Sequence, residues 1–252
     1  MLTKIKFFRH LGALMVSVAA LTSHASWGSV IITGTRVIYP ADARDVNVRL
    51  TNNGPTPALV QIWIDKGDPN ASPEQVKVPF VLTPPIARID PNKSQIVRLV
   101  YTGEVQSAEK ESLYWLNMVE IPPKPVEGAN YLQFAVRTRI KVFYRPAQLK
   151  SGPIDAGPRL EWSLQKDGKK LTLQAINPSP YFVSLSQVRL VTKDGKESGK
   201  PMNVMLAPGA TERIPFEDVN DSELLLSAVR YQLIDDYGAF IESEKHLEGV
   251  PN

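Results

Sequence analysis

The run Asn130-Tyr131-Leu132-Gln133-Phe134-Ala135-Val136-Arg137-Thr138-Arg139-Ile140-Lys141-Val142-Phe143-Tyr144-Arg145-Pro146 decides how this chain is read. Leu132, Phe134 and Val136 alternate with smaller or polar residues; the run then turns basic and ends at a proline. Alternation with period two over this length predicts a β-strand with one apolar face. Such a face has two uses. It is buried in the strand's own sheet, or it is lent to another protein as a missing strand.

Similar short runs recur outward from this stretch. Residues 30–37, 46–50, 58–64, 94–101 and 113–121 read as strands, set apart by Asn52-Asn53-Gly54-Pro55, Asp65-Lys66-Gly67-Asp68-Pro69, Pro91-Asn92-Lys93 and Pro122-Pro123. With 130–146 they make a set of about seven, the spacing expected of an immunoglobulin-like sandwich. Pro146-Ala147-Gln148-Leu149-Lys150-Ser151-Gly152-Pro153 interrupts the pattern and reads as a short interdomain connection. A second series follows at 160–164, 170–176, 182–191, 211–215, 229–235 and 239–244. Its turn signals are Lys166-Asp167-Gly168, Asn177-Pro178-Ser179-Pro180, Lys193-Asp194-Gly195 and Ala207-Pro208-Gly209. The expected fold is all-β, two tandem immunoglobulin-like sandwiches. One spans residues 26–147 and the other 153–252, joined by a linker at 148–152.

Composition supports this reading and removes several function classes. A chain of 252 residues with 43% hydrophobic content is long enough for two cores, and 21 prolines and 15 glycines between β-branched runs favour strands and turns over helices. Residues 1–25 read as a cleavable signal peptide: Lys4, Lys6 and Arg9, then the apolar run 11–21, then Ser23-His24-Ala25. That run is shorter than the ~20 residues of a spanning helix, so no membrane anchor is expected. Of 29 basic residues the leader takes three, leaving 26 against 26 acidic ones, so the positive balance belongs to the leader and no nucleic-acid partner is expected. Cysteine is absent, which excludes a cysteine nucleophile and thiolate metal sites. Outside the leader the one histidine is His246, a poor basis for a Ser-His-Asp triad. No Gly-x-x-x-x-Gly-Lys phosphate loop occurs, and no enzyme activity, metal or cofactor is expected.

The residues also carry a resemblance. Glu111-Ser112-Leu113-Tyr114-Trp115-Leu116-Asn117-Met118-Val119-Glu120-Ile121-Pro122-Pro123 resembles the signature of the PapD-like periplasmic pilus chaperones of chaperone–usher systems. Thr35-Arg36-Val37-Ile38-Tyr39-Pro40, Thr83-Pro84-Pro85, Ile140-Lys141-Val142-Phe143-Tyr144-Arg145-Pro146 and Asn177-Pro178-Ser179-Pro180-Tyr181 look like further family blocks in the right order. The resemblance implies a boomerang of two sandwiches in the periplasm of a Gram-negative cell, stabilising fimbrial subunits by donor-strand complementation and delivering them to an outer-membrane usher. It implies that Arg36 and Lys141 grip the subunit's C-terminal carboxylate, and that Asn130, Leu132, Phe134 and Val136 belong to the donated strand. Glu111, Arg145 and Asp236 match an interdomain charge network, and Pro57 and Pro85, beside Leu59 and Ile86, match an usher-facing region. Gln106-Ser107-Ala108-Glu109 departs from the family's usual Leu-Pro-x-Asp pattern. The short connection 124–129 looks like the short-loop branch, which serves rod-forming pili. A self-capping dimer is left open. The competing readings are a secreted β-sandwich adhesin, which shares the leader and strands, and a carboxylate-only hydrolase, for which no motif pairs the acids.

Overall fold

The computed structural model describes residues 29–103, 109–122, 134–167, 170–216 and 226–247. In the first half these form β1 (Val30–Ile32), β2 (Arg36–Pro40), β3 (Val46–Asn52), β4 (Ala58–Asp65), β5 (Phe80–Thr83), β6 (Ile86–Ile89), β7 (Ser94–Tyr101), β8 (Ser112–Ile121) and β9 (Arg137–Arg145). They assemble into two sheets, ordered β1-β3-β7-β5 and β2-β9-β8-β4-β6. Alternate residues of both sheets, among them Val48, Leu50, Val60, Leu99, Leu116 and Val142, meet in one core. Each such side chain withdrawn from water stabilises the fold by about 1.5–3 kcal/mol.

The second half opens with a short helix, α1 (Pro153–Ala156), and one 3-10 turn. It continues through β10 (Glu161–Asp167), β11 (Lys170–Ile176), β12 (Val183–Thr192), β13 (Glu197–Leu206), β14 (Thr211–Phe216), β15 (Leu226–Ile234) and β16 (Phe240–His246). Sheets β10-β11-β14 and β13-β12-β15-β16 enclose a separate core around Leu173, Leu185, Leu190, Leu206 and Leu233. The protein is thus a pair of β-sandwiches.

The strands differ from the sequence reading in four places. The run 30–37 is two strands, because Gly34 takes φ +92°, a conformation open to a residue without Cβ, and the chain there leaves one sheet for the other. Strands β5 and β6 were hidden by their length and by Pro84-Pro85 between them. Strand β13 was hidden by Gly199, Lys200 and Pro201; a proline is tolerated there because β13 is an edge strand. Finally, the regular ladder of the long run begins only at Arg137, with Phe134 and Val136 outside it. Its partner β8 ends at Ile121 and meets Pro122, which has no N–H to continue the ladder.

One pairing positions everything that follows. Strand β2 lies parallel to β9, with Arg36 opposite Lys141 and Pro40 opposite Arg145. At the Arg145 end the two halves of the protein are joined. Arg145 donates from Nε to Glu111 Oε1 at 2.6 Å, and from Nη1 and Nη2 to the two Asp236 oxygens at 2.7 and 2.8 Å. The other Glu111 oxygen accepts from the Phe182 N–H at 2.8 Å, and the Arg145 guanidinium lies 5.4 Å from the Tyr181 ring centre. Burial by itself would lower the pKa of Arg145, but its bonds to Asp236 and the charge of Glu111 hold it above the ordinary value. Asp236 sits in a turn fixed by Asp235, whose Oδ1 accepts from the Tyr237 and Ala239 N–H groups. In the same turn a Cβ on Gly238 would lie 2.4 Å from Thr35 Oγ1, so only glycine lets the second half approach so closely.

Asp236→Ala should leave both sandwiches folded, since each keeps its own core, but uncouple their unfolding. Calorimetry should show the endotherm broaden or split, with a loss of about 1.5–3 kcal/mol for the charged hydrogen bonds. One unshifted transition would mean that other contacts join the halves.

Candidate functional site

Arg36 and Lys141 meet as register partners of β2 and β9. Their neighbours Val37, Tyr39, Ile140 and Val142 point into the core, so both cations stand on the outward face. Neither is fully solvated. Arg36 donates from Nη1 to the Ile234 carbonyl at the end of β15, at 3.2 Å, and its Nε is buried without a hydrogen bond. Its guanidinium lies 5.8 Å from the Phe143 ring centre, and Lys141 Nζ lies 5.8 Å from that of Trp115.

Among the described residues neither cation has an ion-pair partner. Burial lowers the pKa of Arg36, against the more distant charges of Asp236, Asp235 and Glu111. Burial also lowers that of Lys141, and the charge of Arg36 lowers it further. Two partly desolvated cations are thus held side by side on rigid strands, an arrangement chemically able to accept a small anion. A guanidinium and an ammonium together suit a carboxylate. No group of three or more metal-ligating side chains occurs among the described residues.

Among the described residues the edge of β9 beside this pair is open. Strand β2 covers β9 from Lys141 to Arg145, and among the described residues no strand takes that side of Arg137–Ile140. Phe134 and Val136 precede this edge with 73% and 46% of their surface exposed. They share the sequence parity of Ile140 and Val142, which face the core. The Glu120 N–H donates to the Val136 carbonyl at 3.2 Å on the opposite side. Asn130 and Leu132 lie outside the described residues.

Pro57 and Pro85 are both exposed and lie far from the cations, at the β6 edge of the five-stranded sheet. Beside them Leu59 and Ile86 expose 40% and 52% of their surface. The Pro85 carbonyl accepts from the Ile62 N–H at 2.8 Å, which fixes it to β4. Two features escaped sequence reasoning. The bond from Arg36 to the Ile234 carbonyl links positions with no local signal in common. The outward row Arg137, Arg139, Lys141 did have a signal, its period of two, overshadowed by the apolar row interleaved with it.

Comparison with known proteins assigns both sandwiches to one family. Residues 29–150 match the family described as pili and flagellar-assembly chaperone, PapD N-terminal domain, and residues 155–245 match the pili assembly chaperone PapD, C-terminal domain. The probable fimbrial chaperone YadV of Escherichia coli is 40% identical over 95% of this chain and 98% of its own length. The chaperone protein FimB/FhaD of Bordetella pertussis is 38% identical over 91% of this chain and 93% of its own. The crystal structure of the YadV chaperone superimposes with a TM-score of 0.73 at 39% identity, covering 87% of this chain and all of that one (100%). A chain of the Salmonella enterica SafA pilin complex with the SafB chaperone gives 0.71 at 26% identity, over 89% of this chain and 99% of that one. With both sandwiches matched in order, the chain belongs to the PapD family of pilus assembly chaperones.

Proposed function

We propose that this protein is a periplasmic chaperone that completes fimbrial subunits by lending them a strand and hands them to an outer-membrane usher. The observation that carries the reading is the place where β2 begins. A client strand added to the open edge of β9 and running parallel to it would occupy the line of β2 and stop where Arg36 starts. Its terminal carboxylate would then arrive between Arg36 and Lys141. The exposed row that includes Phe134 and Val136 would fill the client's apolar groove, with main-chain bonds supplying affinity and side chains the fit. An incomplete subunit needs such cover, because an open groove and strand edge invite aggregation. A structural neighbour, the SafB chaperone, is solved in complex with the SafA pilin.

Arg36→Ala and Lys141→Met should each abolish subunit capture, since one charge-assisted contact is worth about 1.5–3 kcal/mol. Lys141→Met should also leave the melting temperature unchanged or raised at neutral pH. The pKa of Lys141 is depressed in the folded protein, so below that pKa the fold bears the cost of a charged, partly buried ammonium that the unfolded chain escapes. Co-purification of a subunit with either variant at normal yield would remove the carboxylate assignment.

Replacing Phe134 and Val136 together by Ser should destroy subunit stabilisation while lowering the stability of the chaperone alone only slightly, because both are already exposed. A loss near the 2–5 kcal/mol typical of a truncated core side chain would place them in the chaperone's own core instead. Pro57→Ala should spare the chaperone–subunit complex but reduce surface fibres. Normal piliation in that strain would return Pro57 to a purely structural role.

A further inference from the structure

The outward face of β9 carries a second, more elaborate arrangement of charge. Arg137, Arg139 and Lys141 form one row, and β8 and β4 supply Trp115, Asn117, Trp63 and Asp65 beside it. The Arg137 guanidinium lies 4.8 Å from the Trp63 ring centre and that of Arg139 lies 4.3 Å from Trp115. Asp65 and Asn117 are fully buried beneath them. Asp65 accepts from Arg139 Nη2 at 2.6 Å, from Asn117 Nδ2 at 2.7 Å and from the Gly67 N–H at 2.6 Å. Asn117 Oδ1 accepts from Arg137 Nε at 3.1 Å and from Nη2 at 2.7 Å, and Arg137 Nη1 donates to the Pro69 carbonyl.

Both guanidinium planes are therefore held by groups beneath and behind them. Among the described residues Asp65 is the one carboxylate bonded to this row, so three cations share a single anion and the row keeps a net positive field. It borders the open edge at Arg137–Ile140. Side chains directly opposite each other on adjacent strands project to the same face. A strand laid on that edge must set its inward residues beside Val136 and Thr138, and its outward residues beside Arg137 and Arg139.

We propose that this row is a selectivity element: it favours client strands whose outward-facing residues just before the C-terminus are acidic, and disfavours basic ones. Building the row costs a buried aspartate and a buried asparagine, and it leaves surplus positive charge on an edge that no strand among the described residues uses. A row serving only to cover the two indoles would need no such excess. The inference rests on the strand-addition reading above and refines it.

The test uses the purified full chain and short synthetic peptides that alternate Val at inward positions with Glu, Ser or Lys at the two outward positions nearest the C-terminus. Each peptide is made with a free carboxylate and as the amide, and affinity is read by fluorescence anisotropy. The Glu peptide should bind more tightly than the Lys peptide by roughly three- to tenfold, as two partly screened contacts allow. The preference should shrink as salt rises, and largely vanish in Arg137→Gln, whose melting temperature is checked in parallel. Equal binding of Glu and Lys peptides, with the free carboxylate still required, would overturn the selectivity row and leave the anchoring pair standing. Amides that bind as well as acids would overturn the anchor, while the Glu-to-Lys ratio would still report on the row. No binding by any peptide would overturn both.

Discussion

Strand β2 pairs with only the last five residues of β9, and most of the molecule's distinctive features depend on that short parallel pairing. It ends at Arg36 because the chain turns at Gly34 and joins the opposite sheet as β1. The next stretch of β9 is consequently left with backbone groups that no strand among the described residues occupies. An open strand edge is ordinarily a liability, and charged side chains along it are a common means of preventing pairing between copies. Arg137 and Arg139 are the charged side chains of that stretch.

The two ends of this pairing use arginine in opposite ways. At one end Arg145 is saturated: a fork to Asp236, a bond to Glu111, and an aromatic face at Tyr181. Removing a partner there strands a buried charge, so the contact fixes the relation between the sandwiches more than it adds to stability. At the other end Arg36 and Lys141 are left short of partners and partly desolvated. The ends are also coupled. The turn that brings Asp236 to Arg145 sets Gly238 against Thr35, and the strand leading into it brings the Ile234 carbonyl to Arg36. A saturated anchor thus holds an unsaturated site in place.

Much of this architecture was legible in the residues. Alternation marked most strands, and the Asn-Pro-Ser-Pro turn reads through its chemistry: Asn177 is buried, its amide donating to the Tyr181 carbonyl at 2.7 Å and its oxygen accepting from Ser179 Oγ at 2.6 Å. The strands that went unread are the short pair around Pro84-Pro85 and the edge strand carrying Gly199 and Pro201. Such segments are strands because a neighbour pairs with them, and local pattern carries little of that information.

The sequence by itself determined the all-β class and the tandem sandwiches, because period-two patterning and turn chemistry are local properties of the chain; the family was legible only through the resemblance of its ordered blocks. Only the tertiary structure decided that Arg36 stands opposite Lys141, that no strand among the described residues pairs with the edge before Lys141, and that Arg137 and Arg139 rest on Trp63 and Trp115 above a buried Asp65. Those facts depend on which strands become neighbours. That choice is made by packing between segments as much as two hundred residues apart, and no window of sequence contains it.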